Sequence, residues 1–344
     1  MTLELLNTLY VQTQGTDLRL DQDTLRIHLP DTPGRKTLPL RRLDAIVVYG
    51  HINPSTELLT RCAQDARPVT WMTRGGRFQA RLEGPVRGNV LLRHEQHRAH
   101  TDPAQRLGIA RSTVAGKIRN SRWVLLRAAR DSKTDAQTRI REAAAKLAEG
   151  LADTQNADSL DTLMGIEGNA ARHYFAGLRD IHRPTDEIPA FTHRNRRPPT
   201  DPVNATLSFT YGLLRNLVHG AIEQVGLDPY IGFLHGLRPA KPALALDLME
   251  EFRPVLADRF ALTLLNRREL RAHHFETLAG GAVNLTEDGR KTLLAAWQEW
   301  KTQPWEHPTA GRTIPAALLP VMQCRILARH IRGDLPGYLP WMAS

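Results

Sequence analysis

Three acidic positions in one short run, a histidine twelve residues before them and a glutamate far upstream are the side chains of this sequence that could do chemistry together. In KPALALDLMEEFRP (241–254) the apolar Leu244, Leu246, Leu248 and Met249 leave Asp247, Glu250 and Glu251 as an acidic group on a helix. Positions three and four apart share one helix face, so Asp247 can project beside both glutamates. Like charges there repel, and a packed helix tolerates them best with a cation between them, although acidic runs also decorate solvated faces. His235 sits in YIGFLHGLRPAKP, where Gly236, Pro239 and Pro242 make an irregular connection into that helix. A neutral imidazole with carboxylates suits Mg²⁺ or Mn²⁺, the nitrogen tilting the choice toward manganese; a histidine after an aromatic-apolar run can equally be a buried, hydrogen-bonded one. Glu167 lies in LMGIEGNAARHYF among Leu163, Met164, Ile166, Ala170, Ala171 and Phe175. A carboxylate in so apolar a stretch is costly unless it meets a cation, which makes it a candidate third ligand; the alternative is a helix-terminal glutamate near Arg172.

Basic segments supply a second kind of chemistry. His193, Arg194, Asn195, Arg196 and Arg197 run into Pro198-Pro199, a charged, extended connector suited to backbone phosphates. Arg111, Lys117, Arg119 and Arg122, with Arg267, Arg268 and Arg271, form positive stripes on expected helices, as solvated faces also do. Other signatures are missing. Gly108 to Gly116-Lys117-Ile118 has the wrong spacing for a P-loop and no Ser/Thr after its lysine, and there is no HExxH helix or GxSxG elbow. His273-His274 has only Glu269 and Glu276 as sequence-near carboxylates and reads as surface chemistry.

The elements that must position these groups fall in two parts. The first ninety-odd residues are short runs (LYVQ, DLRLD, TLRIHL, KTLPL, AIVVYG, PVTWMT, FQARLE) broken by Thr32-Pro33-Gly34, Gly50, Gly75-Gly76 and Gly84-Pro85. Such runs indicate antiparallel strands, with one short helix at 54–66. From about Thr101 the apolar residues repeat at three and four, giving helices near 102–130, 135–151, 158–178, 202–225, 243–272, 286–302 and 314–332. The expected fold is α+β, with a β-rich domain over 1–97 and a larger, all-α catalytic domain over 98–344.

The 344 residues suffice for two cores, and 46 Lys+Arg against 36 Asp+Glu give a net charge of +10 that favours polyanions. Cys62 and Cys324 are too few for a disulfide scaffold or a structural zinc site and fit a reducing cytoplasm. The N-terminus lacks a basic n-region, and no stretch approaches the roughly 18 apolar residues of a spanning helix, so a soluble, cytoplasmic protein without membrane contact is expected.

MGIEGNAARHYF, DPVNATLSFTYGLL (201–214) and FLHGLRPAKPALALDLMEEFRP occur in the order found in the CRISPR-associated integrase family, which the chain resembles from its β-rich start to LPVMQCRILARHIRG. The resemblance implies a β-rich N-terminal domain that makes a homodimer and a helical catalytic domain. It also implies a complex in which two such dimers flank a dimer of the smaller adaptation protein, a heterohexamer on double-stranded and branched DNA. By motif position Glu167, His235 and Glu250 correspond to the family's Mg²⁺ or Mn²⁺ ligands, and Asp247 to its adjacent acid. The closing acid is an aspartate in many members and a glutamate here. Glu251 follows it directly, so helix phase decides which of the two reaches the metal. Arg172, Arg194, Arg196, Arg197 and Lys241 are the expected DNA contacts. The implied reaction is metal-dependent transesterification, in which the 3′-hydroxyl of a captured fragment attacks a phosphodiester at the repeat array. The rival reading is a metal nuclease that resolves branched DNA in repair, and a DNA-binding scaffold with structural acids is the non-enzymatic one.

Overall fold

The computed structural model describes residues 8–30, 34, 36–43, 45–65, 67–74, 78–82, 84, 90–195 and 198–344. Two four-stranded sheets form the N-terminal part. In the first, β1 (Thr8–Val11), β5 (Ala45–Tyr49) and β7 (Val69–Met72) are parallel and β8 (Phe78–Arg81) is antiparallel, in the order β1-β5-β7-β8. In the second, β2 (Asp17–Asp21), β3 (Thr24–His28) and β4 (Lys36–Pro39) form an antiparallel meander, and β6 (Asn53–Pro54) joins β2 in parallel. The expectation of antiparallel strands therefore holds for the meander and fails for β1, β5 and β7. The reason lies in β5, whose AIVVY is buried on both faces, as strands of parallel arrangement are. Ile46 and Val48 enter a core with Leu18, Leu25, Leu58 and Cys62, closed by α1 (Thr56–Gln64), while Val47 and Tyr49 join the core of the helical part.

The helical part begins earlier than the sequence periodicity suggested, with α2 (Val90–Thr101), and continues through α3 (Pro103–Arg130), α4 (Thr134–Asn156), α5 (Leu160–Ile181) and α6 (Pro202–Val225). Asp102 and Asp201 cap α3 and α6, each followed by proline at the first helical position, where the missing N–H costs nothing. Gly226 ends α6 at φ 91°, a left-handed cap that glycine adopts without strain. The expected single helix over 243–272 is instead α7 (Ala243–Phe252), a π turn over Arg253–Asp258 and α8 (Arg259–Asn266). Pro254, without an N–H and with a bulky ring, breaks the regular ladder. Beyond it the helical part is not purely helical. An antiparallel pair, β9 (Phe275–Thr277) and β10 (Val283–Leu285), precedes α9 (Glu287–Thr302), and a second, β11 (Pro304–His307) and β12 (Arg312–Pro315), precedes α10 (Leu319–Ile331). Helices α3, α4 and α5 pack on one another, and α3 also packs on α7. Among the described residues no helix is long and apolar enough to cross a membrane.

Candidate metal centre

The segment between α6 and α7 is irregular, and its backbone is held from three sides. Gln96, fully buried on α2, donates to the carbonyls of Asp228 (2.9 Å) and Ile231 (2.8 Å) and accepts from Asp228 N (2.8 Å). His100 Nδ1 donates to Gly232 O (2.6 Å) and Arg106 Nε to Phe233 O (3.0 Å). From below, the buried carboxylate of Asp247 accepts from Phe233 N (2.5 Å), Leu234 N (2.9 Å), His235 N (2.9 Å) and His235 Nδ1 (2.7 Å). A side chain at Gly232 would meet the Ala243 carbonyl carbon and Asp247 Oδ2, each at 2.7 Å, so only glycine lets the loop lie this close to α7. With Nδ1–H committed to Asp247, Nε2 is the ring atom left to offer a ligand lone pair. A carboxylate that fixes the tautomer and ring orientation in this way is the usual partner of a metal-binding histidine.

One turn of α7 further on, Glu250 is buried at 6 % exposure. Its Oε2 lies 2.6 Å from Lys117 Nζ on α3, and the same ammonium pairs with Glu167 from the middle of α5. Glu167 is therefore not helix-terminal. Arg253, the first residue of the π turn, donates Nη1 to both Glu250 oxygens at 2.7 and 2.9 Å. Burial pushes the Glu250 carboxyl up, but Arg253 and Lys117, with a smaller push from His235, prevail and hold it at about 2. It is a carboxylate at every physiological pH. Two carboxylates converge on one cation, and His235 is near enough for its charge to act on Glu250, although the ligand atoms of all three do not lie within the 4.8 Å span of a single ion; the donor types are those of a hard divalent metal.

Glu251 points the other way. Its carboxylate accepts from Tyr338 Oη (2.7 Å), Trp341 N (2.7 Å) and Gln323 Nε2 (3.2 Å), and burial pushes its pKa up to about 8 against those hydrogen bonds. The next residue along the helix turns by about 100°, so Glu250 faces the loop while Glu251 anchors the C-terminal segment. Of the expected DNA contacts, Arg172 is exposed and bonded to Asn169 Oδ1 (2.7 Å), and Lys241 is half-buried at the start of α7. Arg194 turns inward, donating to Asn204 Oδ1 (2.7 Å) and Ser208 Oγ (2.9 Å), and so braces the connector against α6. Arg196 and Arg197 lie outside the described residues. Lys117 and Arg253 escaped the sequence reading as site residues. The first looked like part of a stripe, and only the EEFR run beside the acids hinted at the second.

A second cluster takes shape only in three dimensions. His273, His274 and Asp288 come together, the last unforeseen from sequence. Arg271 N donates to His274 Nδ1 (3.0 Å), which leaves the proton on Nε2, facing Asp288 at 3.4 Å. That arrangement is an imidazole donating to a carboxylate rather than a ligand lone pair.

Residues 9–299 match the family described as CRISPR associated protein Cas1. The chain belongs to the Cas1 family. It is 49% identical over 339 residues to CRISPR-associated endonuclease Cas1 1 of Moorella thermoacetica, covering 98% of both chains, and 34% identical to a Cas1 of Thermus thermophilus over 97% of this chain and 95% of that one. Among solved structures, a Cas1 protein from Thermotoga maritima superposes with a TM-score of 0.82 at 25% identity, over 95% of this chain and 97% of that one. A casposase bound to integration product shares the fold at the same TM-score, 0.82, with 22% identity over 96% and 92% of the two chains. These Cas1 relatives are named endonucleases, and the chain spans nearly their full length.

Proposed function

We propose that this Cas1-family chain is the metal-dependent DNA endonuclease and integrase of CRISPR adaptation, joining the 3′-hydroxyl ends of captured DNA to the repeat array. The observation that carries the reading is the convergence of Glu167 and Glu250 on the Lys117 ammonium, beside a His235 whose tautomer Asp247 fixes. A Mg²⁺ or Mn²⁺ ion held by Glu167, His235 Nε2 and Glu250 would polarise phosphoryl oxygens and offset charge on the attacking or leaving oxygen. Arg253 keeps Glu250 ionised, Asp247 holds the imidazole, and the α2 and α3 bonds keep the loop from drifting. One phosphodiester is exchanged for another, so no nucleotide is consumed. The same centre hydrolyses DNA when water replaces the hydroxyl.

In this reading residues 1–97 carry the homodimer contact and 98–344 the chemistry. Arg172, Lys241, Arg196 and Arg197 serve the DNA side while Arg194 braces their connector from within, and the smaller adaptation protein joins two dimers into a heterohexamer in the cytoplasm. Two of the solved structures with this fold are titled as Cas6-RT-Cas1–Cas2 complexes. The test is strand transfer of a 3′-hydroxyl duplex into a supercoiled repeat plasmid with Mn²⁺ or Mg²⁺. Joined product is expected for the wild type and none for Glu167→Ala or His235→Ala. Variants that join DNA as well as the wild type would overturn the site assignment, and nicking without joining, even with the smaller protein present, would overturn the integration role.

A further inference from the structure

The structure separates the arginines that the sequence could only group as stripes. Arg111 is occupied by Ala157 O, and Lys117 by the two glutamates. On the rest of α3, Arg119, Arg122, Arg127 and Arg130 flank Trp123. At about 100° per residue all five lie roughly 140° to 280° around the helix from Lys117, on the side turned away from the metal centre. They line a shallow groove of about 210 Å³. Behind them, the Arg259 guanidinium carbon sits 5.6, 5.3 and 5.6 Å from the ring centres of Trp123, Trp300 and Trp305, while Arg127 covers Trp123 at 5.4 Å. Arg267 is close enough that its charge and that of Arg127 add to burial in lowering the Arg259 pKa, to about 10.

We propose that this α3 face, formed by Arg119, Arg122, Arg127 and Arg130 with Arg259 and Arg267 behind it, docks the phosphate backbone of a DNA duplex at a place separate from the metal centre. Among the described residues none of these six guanidiniums pairs with a carboxylate, whereas Arg139 and Arg253 elsewhere do. Arg122 Nε is buried without a hydrogen-bond partner. Six like charges, two of them packed on tryptophan rings and none paired with a carboxylate among the described residues, call for an external polyanion. Planar guanidinium forks match phosphate oxygens in a way that ammonium groups do not. From Arg119 to Arg130 the face runs about 16 Å at 1.5 Å per residue. That length meets several successive phosphates, which rise about 3.4 Å apart along one strand. A protein partner is the less suitable occupant, because a stable protein interface needs an apolar centre, and among the described residues the large apolar side chains lining this groove are Trp123 and Leu126, both already half-buried. The proposal rests on the DNA-joining reading and adds to it a second contact, one that holds DNA while the metal centre works on an end.

The experiment uses the full chain in EDTA, so that binding is read without chemistry. Affinity for a labelled duplex is followed by fluorescence anisotropy across a salt series for the wild type, for the triple variant Arg119→Ala/Arg127→Ala/Arg130→Ala, and for the same three positions changed to lysine. All three positions are exposed. Each lost phosphate contact makes the slope of log affinity against log salt shallower by about 0.9, so the alanine triple is expected to lose about 2 to 3 from the slope while the lysine triple keeps most of it. An unchanged slope in the alanine triple overturns the proposal. So does an unchanged slope together with lost co-elution with the smaller adaptation protein, which would assign the face to an acidic protein surface. A failure of the integrase reading would register elsewhere, as His235→Ala retaining strand transfer, and would leave this slope untouched.

Discussion

Replacing Asp247 by asparagine removes one charge and almost no volume, yet it is expected to disable the centre. The carboxylate is 2 % exposed and accepts four N–H groups, two on each oxygen. An amide offers one oxygen and one NH₂, so whichever way it flips, two donors face a donor. Each stranded donor costs about 1–3 kcal/mol, giving a loss before relaxation of roughly 1–3 kcal/mol when the ring can accept instead and roughly 2–6 kcal/mol when both backbone N–H groups of residues 233 and 234 are stranded. If the NH₂ faces His235, the amide donates to Nδ1, the proton moves to Nε2, and the ligand lone pair is lost. If it faces residues 233 and 234, the loop lifts away and carries His235 with it. Either way Mn²⁺ affinity should fall about 10–100-fold, the usual cost of losing a residue that orients a metal-bound histidine. Titration calorimetry with Mn²⁺ reads the affinity, and urea unfolding in EDTA reads the stability. A variant that binds Mn²⁺ as tightly as the wild type refutes the reasoning, however much stability it has lost.

Lys117→Met leaves Glu167 and Glu250 facing each other without their shared cation. In EDTA the variant should be destabilised near the lower end of the about 3–5 kcal/mol typical of a broken buried pair, since Arg253 still holds Glu250. Saturating Mn²⁺ should narrow that gap, and urea curves with and without metal check both parts. Glu251 titrates near 8 in the fold and near about 4.3 when unfolded, so between these values the unfolded chain holds fewer protons. Stability should therefore fall as pH rises from about 5 to 8. Thermal melts of Glu251→Gln should lack that fall, and its strand transfer should be retained. Gly232→Ala forces a methyl into contacts of 2.7 Å with Ala243 and Asp247. About 1–3 kcal/mol of stability should be lost, with weaker Mn²⁺ binding in the same calorimetric titration.

The acid–imidazole chemistry was legible because Glu167, His235 and Asp247–Glu251 each sit in a run whose apolar neighbours make a charge conspicuous. The choice between Glu250 and Glu251 was not, because it depends on Tyr338 and Trp341, almost ninety residues further on, taking the second glutamate. Helix α2 was hidden for a related reason. Its inward positions include Gln96 and His100, polar residues that bond loop carbonyls and so erase the apolar repeat. Pro254 marked the π turn, but proline one residue into a new turn is compatible with helix, and sequence does not give the ladder. The hairpins β9–β10 and β11–β12 have strands of three or four residues set between helices, where so short an alternation does not stand out from the helical pattern around it. In β5 the reverse holds: a continuous apolar run announced a strand, and only the packing on both faces revealed its parallel partners.

The π turn also constrains how the length of this chain can change. Between Arg253 and Asp258 the backbone carries one residue more than a regular helix would, and Asp258 uses that offset to accept from Tyr174 (3.0 Å) and Tyr211 (2.5 Å). Deleting a single residue there would mend the ladder and rotate everything beyond it by about 100°. Phe260, Leu264 and Leu265 would then leave the core, while Glu250, upstream, kept its direction. Descendants of this gene can vary the residues of the turn far more readily than their number, and an alignment gap placed inside 253–258 signals a misplaced gap before it signals a shorter protein.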